Sequence, residues 1–117
     1  MKTKLGYEIQ RTSLFEKLVK DLSKSFRSIG ADIDGFTDSL DDKSKLGVHL
    51  GGNVYKSRIA NSDKNKGKSA GYRLISYLKL ENETLTYVYI YDKSQLENIS
   101  EEKLDKIVLE MLKDSEK

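Results

Sequence analysis

The chain contains no cysteine and a single histidine, and these scarcities exclude several kinds of chemistry. Without thiols it can form neither a disulfide framework nor a thiolate metal site, and it has no thiol nucleophile. With His49 as its only imidazole, it can provide neither a pair of catalytic histidines nor an all-histidine metal site within one chain. The acids Asp41 and Asp42 stand beside Lys43 and Lys45, which makes them a poor cation site. We therefore predict no metal and no cofactor, and we assign His49 no role.

Long apolar runs are also missing from the sequence. No stretch approaches the roughly 18 apolar residues that a transmembrane helix requires. Residues 1–6 carry cations but lack the apolar region of a signal peptide. We therefore expect a cytoplasmic protein that does not associate with membranes. A length of 117 residues predicts a single domain, covering residues 1–117, with enough chain for one modest hydrophobic core.

Positive charge is concentrated in residues 53–79, which contain seven cations and one acid although the net charge of the whole chain is only +2. Such a local excess of positive charge attracts polyanions, and phosphate chains above all. Both ends of this segment have strand character, so part of the charge lies on rigid backbone. Rigid and clustered cations favour a site that acts on phosphate over a patch that only confers solubility. The seven cations are Lys56, Arg58, Lys64, Lys66, Lys68, Arg73 and Lys79.

The pattern of apolar residues predicts an α+β domain with the element order β-α-α-β-β-β-α. A capping box at Ser13 and Glu16 starts the first predicted helix, and Asn98 or Ser100 caps the last one. The glycines between residues 47 and 52 indicate a loop. The sequence thus predicts a small antiparallel-rich sheet with two N-terminal helices and one C-terminal helix. The predicted strands are residues 7–10, 54–60, 71–80 and 84–91, and the predicted helices are residues 13–24, 33–40 and 100–112.

Strand geometry brings several charged side chains to one face of the predicted sheet. Residues two apart in a strand share a face, so Lys56 and Arg58 point the same way. A hairpin between the last two strands places Arg73 opposite Tyr91 to within one residue, because the sequence does not fix the register, and Lys93 could continue that face. Pairing of the two preceding strands brings Arg58 near Arg73. These five residues are the predicted catalytic residues. The predicted RNA-binding rim is formed by the loop residues Lys64, Lys66 and Lys68.

A cluster of this kind can cleave RNA without a metal ion. The RNA supplies its own nucleophile, the 2′-hydroxyl group, so the protein has to align that oxygen and stabilise the charge growing on the phosphate and on the leaving 5′-oxygen. Guanidinium and ammonium groups provide this stabilisation. The hydroxyl group of Tyr91, held between cations, is expected to have a lowered pKa and to act as a base, or the ring stacks on a nucleobase.

Three motifs stand in the second half of the chain. The basic pair Lys56 and Arg58 follows a strand tyrosine, the run Gly71–Arg73 opens the next strand, and Tyr91 and Lys93 stand at the end of the last strand. With these motifs the sequence resembles the RelE superfamily of toxins and, within it, the HigB-type proteins of type II toxin–antitoxin operons. The resemblance follows the order of elements over nearly the whole chain. Its specific stretches are residues 50–61, 66–73, 90–94 and 97–99.

This resemblance implies a RelE-like microbial ribonuclease fold and ribosome-dependent cleavage of mRNA in the A site, without metal and with a 2′,3′-cyclic phosphate product. It implies contacts with ribosomal RNA and inhibition of growth. It also implies a cognate antitoxin with a helix-turn-helix domain, similar to HigA, in a complex that we expect to be a heterotetramer. Carried over by motif, Tyr91 is the base or the stacking platform. The charge stabilisers are Lys56, Arg58, Arg73 and Lys93.

Individual residues also have structural interpretations. The basic segment could be a solvated charged face, and Arg73 could form a structural ion pair with Asp92 or Glu8. By strand alternation, Tyr87 and Tyr89 share a face with the tyrosine of the predicted site, and we expect these two rings in the core.

Rival functions are consistent with the same basic segment. One is a ParE-like relative that poisons DNA gyrase and cuts no RNA. Another is a nucleic-acid-binding regulator without catalysis, and a third is a toxin remnant retained only as an antitoxin partner. The final helix could be core, or it could shift when an antitoxin binds.

Overall fold

The computed structural model describes residues 2–64 and 67–115, and in these ranges it confirms the predicted α+β class. A strand and two helices are followed by four strands and a final helix. The helices are α1 (Ser13–Ser23), α2 (Ile29–Asp38) and α3 (Glu101–Ser115). The strands are β1 (Glu8–Arg11), β2 (Val48–Gly51), β3 (Val54–Ile59), β4 (Tyr72–Lys79) and β5 (Thr84–Asp92).

The strands of the described residues form one sheet in the order β1-β5-β4-β3-β2. Strand β1 runs parallel to β5, and all other neighbours are antiparallel. The predicted pairing of β3 with β4 and of β4 with β5 is confirmed. Because β2 is short, the end of β3 that carries Arg58 extends beyond its partner.

The sequence pattern predicts a loop where the structure has strand β2, and that prediction is wrong. The pattern fails because β2 is short, mostly exposed and flanked by glycines, so it shows no alternation. The strand forms through backbone pairing with β3, where Val48 lies opposite Lys56. Gly47 permits this approach, since a Cβ atom there would lie 2.0 Å from the carbonyl oxygen of Lys56. The β2–β3 hairpin therefore fixes the strand that carries Lys56.

The helix boundaries follow from their caps. Helix α1 begins at Ser13 because Thr12 is the N-cap: its Oγ1 accepts a hydrogen bond from the backbone N–H of Phe15 at 3.0 Å. The predicted capping box at Ser13 is therefore wrong by one residue. At helix α3, one of the two predicted caps is confirmed, since Ser100 Oγ accepts a hydrogen bond from the N–H of Lys103 at 3.2 Å.

Helices cover both faces of the sheet, and two hydrophobic clusters result. Helices α1 and α2 pack on one face, which we call the α1/α2 face, over the larger cluster. Helix α3 packs on the opposite face, the α3 face, over a smaller cluster. The larger cluster includes Phe15, Leu22, Ile29, Ile33, Leu74, Leu85, Tyr87 and Ile90. The buried residues of the smaller one are Val54, Ile75, Val88, Tyr91 and Val108.

A β-bulge in β5 changes which face its tyrosines occupy. Ser76 pairs with Tyr87 and Ile75 with Tyr89, so Val88 is an extra residue between the two pairs. Tyr87 consequently lies in the α1/α2 core, where its hydroxyl group is 2.7 Å from Thr37 Oγ1. Tyr89 lies on the α3 face instead, partly buried. The prediction that three alternating tyrosines share one face is wrong, whereas the core position of Tyr87 is confirmed.

Candidate active site

The strand register brings the predicted residues side by side. Arg58 lies opposite Arg73 across the β3–β4 pair, and Arg73 lies opposite Tyr91 across the β4–β5 pair. The position of Tyr91 opposite Arg73, predicted to within one residue, is confirmed, and Arg58 lies near Arg73 as expected from pairing of their strands. Directly opposed residues of antiparallel strands project from the same face. That face is the α3 face, since Tyr91 belongs to its cluster.

Helix α3 contributes two carboxylates to this group. Glu101 Oε1 accepts hydrogen bonds from Arg73 Nε at 2.9 Å and from Lys56 Nζ at 3.2 Å, and the hydroxyl group of Tyr91 lies 3.5 Å away. Asp105 binds Lys56 Nζ at 2.5 Å through Oδ2 and the Tyr91 hydroxyl group at 3.2 Å through Oδ1. We call these five residues the ionic cluster. Three hydrogen-bond donors thus converge on a single anionic oxygen.

The two carboxylates were not predicted as site residues. From the sequence pattern alone, an acid in the first turn of α3 such as Glu101 would be expected only to interact favourably with the helix dipole. A signal was nevertheless present, because Glu101 and Asp105 are four residues apart and lie on the same helical stripe as Leu104 and Val108. Acids on a stripe that packs against a sheet indicate cations beneath them.

Most of the ionic cluster is buried, although the side chain of Glu101 is 28% exposed. The side chain of Arg73 is 0% exposed and that of Lys56 is 13% exposed, while Tyr91 is 3% exposed. Arg73 Nη1 also donates to the carbonyl oxygens of Lys68 at 3.0 Å and Tyr72 at 3.3 Å. The structural alternative for Arg73 is thus correct in that it forms an ion pair, but its partner is Glu101 rather than Asp92 or Glu8.

Burial and hydrogen bonding shift the titration of the cluster. Burial alone would raise the pKa of Glu101, but hydrogen bonds from Lys56 and Arg73 outweigh it and hold the pKa below its ordinary value. Burial and the carboxylates of Asp105 and Glu101 raise the pKa of Tyr91 far above its ordinary value. The predicted lowering of the Tyr91 pKa is therefore wrong in this arrangement. A protonated Tyr91 hydroxyl group acts as a hydrogen-bond donor.

Lys64 belongs to a separate buried network. Asp92 is 0% exposed and accepts hydrogen bonds from Lys64 Nζ at 2.5 Å and Asn61 Nδ2 at 3.0 Å, and from the backbone and hydroxyl groups of Ser94. Burial would raise the pKa of Asp92, but these hydrogen bonds hold it below its ordinary value. Lys64 Nζ also donates to the Ala70 carbonyl oxygen at 3.1 Å. Lys64 thus holds the end of β5 in place. The predicted contact of Lys64 with RNA requires its ammonium group to leave Asp92.

The remaining predicted cations lie around the ionic cluster rather than in it. Arg58 and Lys68 are exposed and line a cleft of about 470 Å³ between α2 and the end of β3. Lys93 is exposed in a 3₁₀ turn, Lys93–Gln95, because β5 ends one residue before it. It therefore does not continue the strand face of Tyr91 as predicted. Lys66 lies outside the described residues.

The structure also shows the surroundings of His49 and the arrangement of possible metal ligands. His49 lies in β2, with Nε2 2.5 Å from the Gly52 carbonyl oxygen and its ring 5.2 Å from that of Tyr55. In residues 2–64 and 67–115 no group of three or more His, Cys, Asp or Glu residues is placed to hold a metal ion. Over the same ranges, no helix has both the length and the apolar character needed to cross a membrane.

Comparison with known proteins gives one family match. The family described as "RelE toxin of RelE / RelB toxin-antitoxin system" matches residues 34–114. This span covers well over half of the chain and contains strands β2 to β5 and nearly all of α3, hence the whole ionic cluster. A search of curated proteins found no match.

Proposed function

Because the chain belongs to the RelE toxin family, it is the toxin of a toxin–antitoxin pair, and we propose that it is a ribosome-dependent endoribonuclease that cuts mRNA in the A site. The family is generally one of endoribonucleases, and it implies an antitoxin partner. The ribosome dependence, the chemistry and the site residues below are our proposal.

One observation carries the proposal: Arg73, Lys56 and Tyr91 direct their donors at a single anionic oxygen, that of Glu101. A phosphate oxygen has the same charge and hydrogen-bonding demands as a carboxylate oxygen. Donors that are held in place before the reaction stabilise developing charge without reorganisation. The same group can therefore serve the phosphate of an RNA transition state.

In the proposed reaction the 2′-oxygen attacks the adjacent phosphorus, and the bond from phosphorus to the 5′-oxygen breaks. The proton of the 2′-hydroxyl group is balanced by the proton gained by the leaving 5′-oxygen, so no co-reactant is consumed. Arg73 and Lys56 stabilise the charge on the phosphate oxygens. Tyr91 orients the phosphate as a hydrogen-bond donor, as its hydroxyl group does toward Asp105 Oδ1 in this structure.

The cations around the ionic cluster position the RNA in this proposal. Arg58, which lies opposite Arg73 in the sheet, and Lys93, which follows the end of β5, are exposed and act as further charge stabilisers. The loop residues Lys66 and Lys68 contact flanking phosphates or ribosomal RNA, since exposed lysines near a nucleic acid bind mainly its backbone. Lys64 contacts RNA in this proposal only after its ammonium group leaves Asp92 and binds a phosphate instead.

For the partner, we propose an antitoxin of the HigA type, with a helix-turn-helix domain, in a heterotetrameric complex. This rests on the likeness of the sequence motifs to the HigB branch. Co-purification of the two chains followed by mass measurement of the complex tests the stoichiometry.

The proposed function is tested by induced expression in cells with mapping of mRNA 5′ ends. We expect growth arrest and new cuts inside translated reading frames for the wild type. Arg73→Ala should abolish the cuts, because it removes a guanidinium group from the ionic cluster. Lys79→Ala is the matched control, since Lys79 is an exposed cation at the far end of the same strand, and this variant should cut like the wild type.

Because Arg73 is fully buried, its loss could also unfold the chain. Arg73→Lys retains the charge, and binding of the antitoxin by each variant shows whether the fold is intact. Growth arrest with intact messages would instead indicate gyrase poisoning. Absence of arrest by a folded wild-type chain would indicate a remnant or a simple nucleic-acid binder.

A further inference from the structure

Each donor residue of the ionic cluster contacts helix α3, which raises the question of how RNA could reach them. Arg73 and Tyr91 are buried beneath this helix, and Lys56 is bonded to both Glu101 and Asp105. A phosphate can replace the Glu101 oxygen only after this carboxylate leaves its donors, and a shift of α3 would withdraw Glu101 and Asp105 together. The cation site is therefore already occupied in this structure, and its occupants are the carboxylates of Glu101 and Asp105.

Helix α3 is attached in a way that permits such movement. Residues 96–100, which connect it to the rest of the chain, form neither helix nor strand. Val108 is its one fully buried apolar residue among those described, whereas Ile107 and Met111 are exposed. Leu104, Leu109 and Leu112 pack against the same cluster but are only partly buried. The helix thus docks through one mostly half-buried apolar stripe together with the contacts of Glu101 and Asp105.

We propose that α3 is an autoinhibitory lid whose Glu101 and Asp105 hold the positions of RNA phosphate oxygens, so that the free toxin is closed. RNA opens it by offering its own anionic oxygens to Lys56, Arg73 and Tyr91 in place of the two carboxylates. The apparent affinity for RNA is then lower than the intrinsic affinity of the open site, in proportion to the fraction of open molecules. The proposal depends on the proposed function only in naming RNA as the displacing anion.

A different role for Glu101 is that of a general base, which would take the proton of the 2′-hydroxyl group. A base must reach the nucleophile while the phosphate occupies the cation site. In this structure Glu101 itself occupies that site, through the same Arg73 and Lys56 donors that the phosphate needs. The geometry therefore favours a competitor of the phosphate over a base, and the two roles predict opposite effects of mutation.

The test compares two double variants of the full-length chain. Glu101→Gln with Asp105→Asn removes the two negative charges that contact the cluster while preserving side-chain size. Glu102→Gln with Glu110→Gln is the matched control, because it removes two exposed acids from the same helix. Both variants therefore change the net charge equally.

Lid opening is measured without reference to catalysis. The chain has no cysteine, so a single Val108→Cys substitution introduces one thiol under the lid, where its alkylation rate reports exposure. We expect the Glu101/Asp105 variant to be alkylated about tenfold faster than the control, and a short fluorescein-labelled single-stranded RNA to bind it about tenfold more tightly. Added salt should speed alkylation in the wild-type background more than in this variant.

Equal alkylation rates and equal RNA affinities in the two double variants would contradict the proposal that α3 is a lid. Unchanged alkylation with loss of cleavage would also overturn it and would identify Glu101 as the base. Thermal melting of each variant confirms that faster alkylation does not arise from global unfolding. A further outcome is that the Glu101/Asp105 variant shows faster alkylation and tighter RNA binding while even the wild type cuts no mRNA. That result would support the lid and contradict the proposed nuclease function.

Discussion

The two faces of the sheet are covered by helices that are held in different ways. On the α1/α2 face, two helices bury a large and almost entirely apolar cluster that includes Phe15 and Ile33. On the α3 face, one helix buries a small apolar cluster beside the ionic cluster. Apolar packing is insensitive to pH and modest salt, whereas ion pairs respond to both. The first face thus stabilises the fold, and the second can change state while the fold persists.

The largest expected difference between the faces concerns truncation of their core residues. Phe15→Ala should lower the free energy of unfolding by about 3–5 kcal/mol, because Phe15 is fully buried in the larger cluster. Val108→Ala, on the α3 face, should lower it by about 1–2 kcal/mol and act mainly on the helix that carries it. Urea denaturation measures both values, and amide hydrogen exchange locates the loosened segment. Equal losses of unfolding free energy for the two variants would mean that the two faces contribute equally to stability.

The next prediction contrasts a buried cation with an exposed one. Lys64→Ala leaves the buried carboxylate of Asp92 without its ammonium partner, and we expect a loss of about 3 kcal/mol in the free energy of unfolding. Lys79→Ala, at an exposed position, should change it by less than about 0.5 kcal/mol. Urea denaturation at neutral pH measures both. A small effect of Lys64→Ala would show that its ion pair is dispensable.

A pH titration should distinguish the acid response of the α3 face from that of the α1/α2 face. The pKa of Glu101 is held below its ordinary value of 4.5, so its stabilisation of the closed lid is present above that pH and is lost as the pH falls through the lowered pKa. The groups facing Glu101 are Lys56, Arg73 and Tyr91, with Asp105 beside them. We expect the NMR signals of α3 amides to shift in acid before those of α1.

The matched variant for this titration is Glu101→Gln, in which the acid-induced shift of the α3 amides should be reduced. Asp92 also has a lowered pKa, from an ordinary value of 3.8, and its protonation weakens the Lys64 network on further acidification. A simultaneous change of α1 and α3 amides would mean that the lid does not open independently of the fold.

The smallest expected effect on stability comes from two cations of the basic segment, Lys66 and Lys68. Lys66→Ala with Lys68→Ala should leave unfolding unchanged but flatten the log–log salt dependence of single-stranded RNA binding by about 1.4, if each lysine contacts one phosphate. Fluorescence anisotropy over a range of salt concentrations measures the slope. An unchanged slope would remove this loop from the RNA interface.

The sequence was informative wherever the structure depends on local pattern. The strand pairings that bring Arg58 near Arg73, and Arg73 opposite Tyr91 to within one residue, followed from alternation and one hairpin turn. Helical spacing likewise predicted the existence of α1 and α3 and most of their buried residues, although Leu14, Ile107 and Met111, which share that spacing, are exposed. These features depend on neighbours in the chain, which a single sequence displays.

The features that were missed depend on contacts between distant residues. Strand β2 forms through pairing with β3 and has little pattern of its own. Lys64 looks like any loop lysine until the burial of Asp92 is known. Glu101 looks like an acid that suits a helix N-terminus, and Asp105 like any other helical acid, until the docking of α3 on the sheet is known. Local pattern specifies which face of a helix is buried, but it does not specify what that face meets.

The extra residue in β5 has a consequence for how this chain can evolve. The bulge at Val88 divides one strand into a part that contributes Tyr87 to the scaffold and a part that contributes Tyr91 to the site. Substitutions on one side of the bulge can accumulate with little effect on the other, so the substrate surface can diverge while the fold is conserved. Deletion of Val88 would couple the two parts again by moving one tyrosine to the wrong face.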